Sequence, residues 1–182
     1  MATRAASHDA RRVAELLGRE PEGTFEVVVR DASGEPVVLR NDPLMFNGRP
    51  MPTLYWLAGK DALRRVSRLE AAGGVRAAEA AIPAAELAAA HARYAAERDS
   101  AIPQGHAGPR PSGGVAGTRT GVKCLHAHYA YHLAGGDDPV GRWVAAKLAE
   151  AADDPGAIND SAINDGAIND SAINDQGEQA PA

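Results

Sequence analysis

Hydrophobic positions fall with helical spacing at Val13, Leu16 and Leu17. With Ser7 placed to cap and Gly18 to stop the segment, the pattern predicts a short helix over 7–17. Beyond Pro21 and Gly23 the pattern changes. Three runs rich in β-branched and aromatic residues, Thr24–Arg30, Pro36–Asn41 and Thr53–Ala58, predict strands bounded by turn formers. Asp31-Ala32-Ser33-Gly34 is short enough to close a hairpin between the first two. The second connection, DPLMFNGRPMP, contains Asn47-Gly48 and three prolines and predicts a longer ordered loop. A three-stranded antiparallel meander is the economical arrangement.

The following stretch is helical in pattern. Leu63, Val66 and Leu69 share one side of a segment from Asp61 to Ala72, Arg64, Arg65 and Arg68 face water, and Gly73-Gly74 ends it. An alanine-rich helix is predicted from Pro83 to Asp99, another from Val122 to Ala134, and a last one through Pro139, Trp143 and Leu148, capped by Asp137 or Asp138. Between the second and third of these helices, Ile102–Gly121 turns to Gly, Pro, Ser and Thr. A loop of that length in a compact domain is either functional or mobile. Strands first and helices afterwards predict an α+β fold, a meander packed with about five helices.

Composition divides the chain. The 182 residues carry a net charge of −5, but seven of the 24 acidic residues and none of the 19 basic ones lie after Glu150. Residues 1–150 are therefore nearly neutral, at +2, and form the expected single domain. Residues 151–182 contain GAINDSAIND twice in succession and are expected to be an acidic, low-complexity, disordered tail, since four pentads complete only about one turn of a solenoid. The near-neutral body argues against a basic nucleic-acid binder. A single cysteine excludes an internal disulfide. The sequence MATRAASHDARRVAELLG has no apolar leader core, and no stretch has the ~18 apolar residues of a membrane span. A cytoplasmic protein is expected.

The densest polar cluster is Lys123-Cys124-Leu125-His126-Ala127-His128-Tyr129-Ala130-Tyr131-His132. On a helix, Cys124, His128 and His132 share one face, with His126 turned away. Three readings follow: packing residues, a thiol nucleophile activated by His126, His128 or His132, or a metal site needing a further ligand from His91, Asp31 or His106. The outer two of three ligands at successive i, i+4 steps lie ~12 Å apart along the axis, too far for one ion. No metal ligand and no cofactor is therefore assigned. Arg110, Arg119 and Lys123 gather near the start of this helix, where free N–H groups favour phosphate or carboxylate. GGVAGTRTG lacks the G-K-[ST] of a nucleotide-hydrolysing loop. His91, Tyr94 and Arg98 recur at helical spacing, as an edge facing a cleft or as a surface with one buried tyrosine. Tyr55 and Trp56 read as sheet and core residues.

GREPEGTFEVVVRDASGEPVV, MPTLYWLAGKDALRRVSRLEAAG, HARYAAERD and GVKCLHAHYAYHLAGGDDPVG together resemble the domain-of-unknown-function 501 family of bacterial proteins, across roughly residues 12–146. PTLYW and VKCLHAHYAYHLAGGDDPVG carry most of the likeness. The resemblance implies no established activity. It implies a cysteine after the first strand, where this chain has Asp31, and a cysteine or histidine followed by proline after PTLYW, where it has Gly59-Lys60. A metal or redox site completed by those residues would be lost here.

The leading functional expectation is a small non-catalytic binding or regulatory domain. Its anion-favouring site lies at the long loop and the following helix, with Arg119, Lys123, His126, His132 and His91 as ligand-binding residues. The expected partner is a small anion or a protein, with neither membrane nor nucleic acid involved. The alternatives are a small enzyme using Cys124 with His126 or His132, and a metal-binding protein.

Overall fold

The computed structural model describes residues 7–153; the expectations for the repeat-bearing tail lie outside the described residues. The chain runs α1 (Ser7–Leu17), β1 (Gly23–Arg30), β2 (Pro36–Met45), β3 (Tyr55–Leu57), α2 (Lys60–Ala71), α3 (Gly74–Ala81), α4 (Ala84–Ser100), a 3-10 turn at Val115–Gly117, α5 (Leu125–Leu133) and α6 (Pro139–Asp153). The α+β class and the antiparallel meander, in the order β1-β2-β3, are as the hydrophobic pattern predicts.

Three differences from the pattern have local causes. The second strand continues to Met45, because Met45 N–H bonds Arg49 O and Met51 N–H bonds Pro43 O across the Asn47-Gly48 turn. Helix α3 follows Gly73 directly, whose φ of 85° turns the chain sharply between two helices rather than ending the helical region. Six α-helices rather than five are thus present among the described residues. The third difference bears on the site. Helix α5 starts at Leu125, not Val122, and Cys124 is extended at φ −157°, ψ 125°.

The sheet is covered on both faces. Neighbouring residues of a strand point to opposite sides, so Leu39 and Val38 enter different cores. Leu39, Phe25 and Ala58 pack under Val13 and Leu16 of α1. Val38, Tyr55 and Leu57 join Val66, Leu87, Leu125, Val140, Val144 and Leu148 from the later helices in the larger core. Each fully buried aliphatic side chain there contributes about 1.5–3 kcal/mol. Tyr94 of α4 fixes the helical layer to the sheet: its buried hydroxyl oxygen accepts N–H bonds from Leu54 at 2.6 Å and Tyr55 at 3.2 Å.

Candidate functional site

Helix α2 presents Ser67 and Glu70, three residues apart and therefore on one face, to the start of α5. The Leu125 N–H, left without an intrahelical acceptor at the helix start, bonds Glu70 Oε1 at 2.6 Å. Glu79 of α3 takes the Val122 N–H in the same way at 2.7 Å. Glu70 thus holds the first N–H of α5 and Glu79 the chain leading into it, and Cys124 becomes the cap residue.

The consequence is a convergence that helical spacing does not provide. Cys124 Sγ lies 3.5 Å from His126 Nδ1, and Glu70 Oε1 lies 3.1 Å from the same nitrogen. Ser67 Oγ meets the other ring nitrogen, Nε2, at 3.1 Å. One ligand atom each from Glu70, Cys124 and His126 falls within 4.8 Å of the others, and all three residues are partly open to solvent. Burial works against a charged imidazole here, but hydrogen bonds and charge from Cys124 and Glu70 outweigh it and push His126 up to about 10. Burial likewise opposes the Glu70 carboxylate; the hydrogen bond and charge of His126, with the Leu125 N–H, more than offset it and hold the carboxyl below its usual range.

These distances suit a metal ion. A tetrahedral ion bonded at ~2.3 Å to sulfur, ~2.05 Å to nitrogen and ~2.1 Å to oxygen spans S–N and N–O edges of about 3.6 and 3.4 Å. The observed separations are 3.5 and 3.1 Å. Ser67 Oγ, 3.1 Å from Nε2, stands where an outer partner would hold a ligating histidine, whose Nδ1 would have to release its proton to an incoming ion.

A second histidine cluster lies inside. His128 and Asp138 are fully buried, with Nδ1 and Oδ2 2.7 Å apart, and Asp138 Oδ1 accepts the Gly141 N–H to cap α6. His128 Nε2 has no hydrogen-bond partner, and the ring sits 5.6 Å from that of His91. His91 accepts from Val115 N–H at Nδ1, at 3.1 Å, and bonds Gly121 O through Nε2 at 3.0 Å. Burial lowers its pKa. Two turns further along α4, Arg98 is 1% exposed and donates to the carbonyls of Pro111, Ser112, Gly113 and Pro52 and to Asp99. His91, Tyr94 and Arg98 are thus a buried stripe, and two of them tie down the 111–121 loop. The tie is close, since a Cβ at Gly114 would stand 2.4 Å from His91 Cβ.

The residues expected to form one anion site are dispersed among these features. Arg119 lines an open depression of about 410 Å³ beside His91, Arg98, Gly113 and Gly114. Lys123 is exposed, and neither it nor Arg119 bonds another described residue. His126 belongs to the Glu70–Cys124 cluster, and His132 packs its Cβ against Gly141 of α6. Cys124, His128 and His132 do not share a helix face, because Cys124 precedes the helix. His106 bonds Pro109 O within its own loop, and Asp31 accepts from Ser33 and the Glu35 N–H in the β1–β2 turn. Glu70 and Ser67 escaped the sequence reading. Their three-residue spacing on α2 was the available signal, but the partner lies 55 residues away in sequence.

No helix among the described residues is long and apolar enough to cross a membrane. No curated protein and no solved structure matches the chain. A family model does: it covers residues 27–146, from β1 through α6, including Glu70, Cys124, His126, His128 and Asp138. On that match the chain belongs to the family described as Protein of unknown function (DUF501).

Proposed function

We propose that this protein is a metal-binding module whose centre is Glu70, Cys124 and His126. The observation that carries the reading is the approach of a thiol, a carboxylate oxygen and one imidazole nitrogen to within 4.8 Å of one another, with the sulfur–nitrogen and nitrogen–oxygen edges close to those of a tetrahedral ion. Mixed sulfur, nitrogen and oxygen donors favour a borderline-soft divalent ion, zinc before magnesium or calcium. Glu70 Oε1 holds the Leu125 N–H and Ser67 holds His126 Nε2, so both ligands are oriented before an ion arrives. Three protein ligands leave a fourth position for water or for a donor from a partner. A cytosolic location fits this reading, because a lone thiol stays reduced there.

Titration of untagged full chain with Co²⁺ tests it. The expected result is one ion per chain with a thiolate-to-metal charge-transfer band. Glu70→Gln, Cys124→Ser and His126→Ala should each weaken binding by more than the roughly 10–100-fold typical of losing an outer partner. A stoichiometry near zero, or affinity unchanged in all three variants, overturns the reading.

A second reading, a regulatory domain that binds a small anion at the loop, is supported by Arg119 beside the 410 Å³ depression. Arg119 is the cation for such a ligand, because Arg98 is engaged by carbonyls. Calorimetry with inorganic phosphate and with a small dicarboxylate, on the chain and on Arg119→Ala, decides it. The reading predicts heat that disappears in the variant, and absent heat or an indifferent variant rejects it.

A further inference from the structure

We infer that Cys124 is a site of oxidation by peroxides, and that oxidised sulfur and bound metal are mutually exclusive states of the Glu70–Cys124–His126 centre. The inference rests on the metal reading above and adds its regulation.

Metal and oxidant compete for one atom. Sγ is the only sulfur donor among the three ligands, and it belongs to the only cysteine in the chain. Whatever occupies its lone pairs denies them to the other claimant. Cys124 caps α5 at the edge of the larger core and is only partly buried, so a small oxidant reaches it from solvent. His126 Nδ1, 3.5 Å from sulfur, is placed to relay a proton, giving its own to the departing oxygen and taking that of the thiol. In the step, sulfur attacks one peroxide oxygen; the S–O bond forms as the O–O bond breaks. Sulfur is oxidised by two electrons and the peroxide is reduced. The departing hydroxide takes the thiol proton through His126, giving sulfenic acid and water. With no second cysteine in the chain to condense with, the sulfenic acid persists until an external thiol reduces it. The added oxygen extends from sulfur toward Nδ1 and Glu70, into the space the ion would fill, and an uncharged sulfenic acid is a poorer ligand than thiolate.

The experiment uses untagged full chain in metal-free and Co²⁺-loaded forms, treated with hydrogen peroxide and trapped with dimedone. Metal-free protein should carry one dimedone adduct on Cys124, and untrapped oxidised protein should lose the Co²⁺ charge-transfer band and regain it after dithiothreitol. Loaded protein should react at least about tenfold more slowly, since the thiolate is committed to the ion. Lys147→Ala, on the exposed face of α6 and outside the centre, should behave as the parent chain. If Co²⁺ binds and Cys124 is not modified, or if oxidised protein binds Co²⁺ unchanged, or if loaded and metal-free protein react equally fast, this inference is overturned while the metal reading stands. If Co²⁺ does not bind at all, both fall together.

Discussion

His126 and His128 stand two residues apart on one helix and do opposite work. His128 points inward, fully buried, with Asp138 as its single partner. His126 points to the rim, where Glu70 and Cys124 approach one of its nitrogens and Ser67 the other. In the interior the polar groups are spent on holding elements together: Asp138 caps α6, His91 pins Val115 and Gly121, and Arg98 gathers carbonyls of the loop. At the rim two donors crowd a single atom, which is more than the fold needs to orient α5. Redundancy around one point, with access to solvent, separates the candidate site from the histidines that hold the structure together.

This contrast can be broken by mutation, and the largest effects should come from the interior. Arg98→Met strands several loop carbonyls and should cost about 3–5 kcal/mol in urea denaturation. A cost below about 1 kcal/mol would show that the loop is not held from α4. Asp138→Ala removes the α6 cap and leaves His128 buried without a partner, for a loss of about 2–4 kcal/mol by the same measurement. At the rim, Cys124→Ser should shift stability by no more than about 1 kcal/mol while removing Co²⁺ binding. If it destabilises as much as Asp138→Ala, the rim cluster is structural and the contrast collapses.

Acid sharpens the comparison through His91. Val115 N–H donates to its Nδ1, so the folded state requires the neutral ring, and burial lowers its pKa below the unfolded value near 6.5. The stability this contributes is fully present above pH ~6.5 and is lost as pH falls through the depressed folded value. Thermal melts between pH 7 and 5 should show a decline that His91→Gln flattens; an equal decline in the variant would assign the acid sensitivity elsewhere. The smallest effect is expected at Arg119→Ala, within about 0.5 kcal/mol of the parent, because Arg119 is exposed and bonds no other described residue.

Most of the fold was legible in hydrophobic spacing. The meander, α1, α2, α4 and α6 follow from apolar periodicity and from turn residues such as the Asp31–Gly34 segment, whose Asp31 side chain and Gly34 backbone close the hairpin as their chemistry requires. The burial of Tyr94 was half visible, as the one buried member of a stripe facing a cleft or the surface, but the burial of Arg98 was not, because a charged side chain goes inside only when distant carbonyls gather around it. The candidate site was not. Its cysteine and histidine were singled out, but on a helix assumed to begin three residues early, which placed Cys124 with His128 instead of His126.

By itself, then, the sequence determined the elements, their class and order, the uneven distribution of charge and the short list of chemically capable residues, because these depend on local spacing and side-chain type. Only tertiary structure decided where α5 begins, since Glu70 of α2 accepts its first free N–H, at Leu125, and Glu79 of α3 holds the chain just before it through the Val122 N–H. That boundary turns Cys124 out of the helix and onto His126. A shift of three residues at one helix terminus, where carboxylates of other helices hold the chain, separates a stripe of packing residues from a three-atom centre.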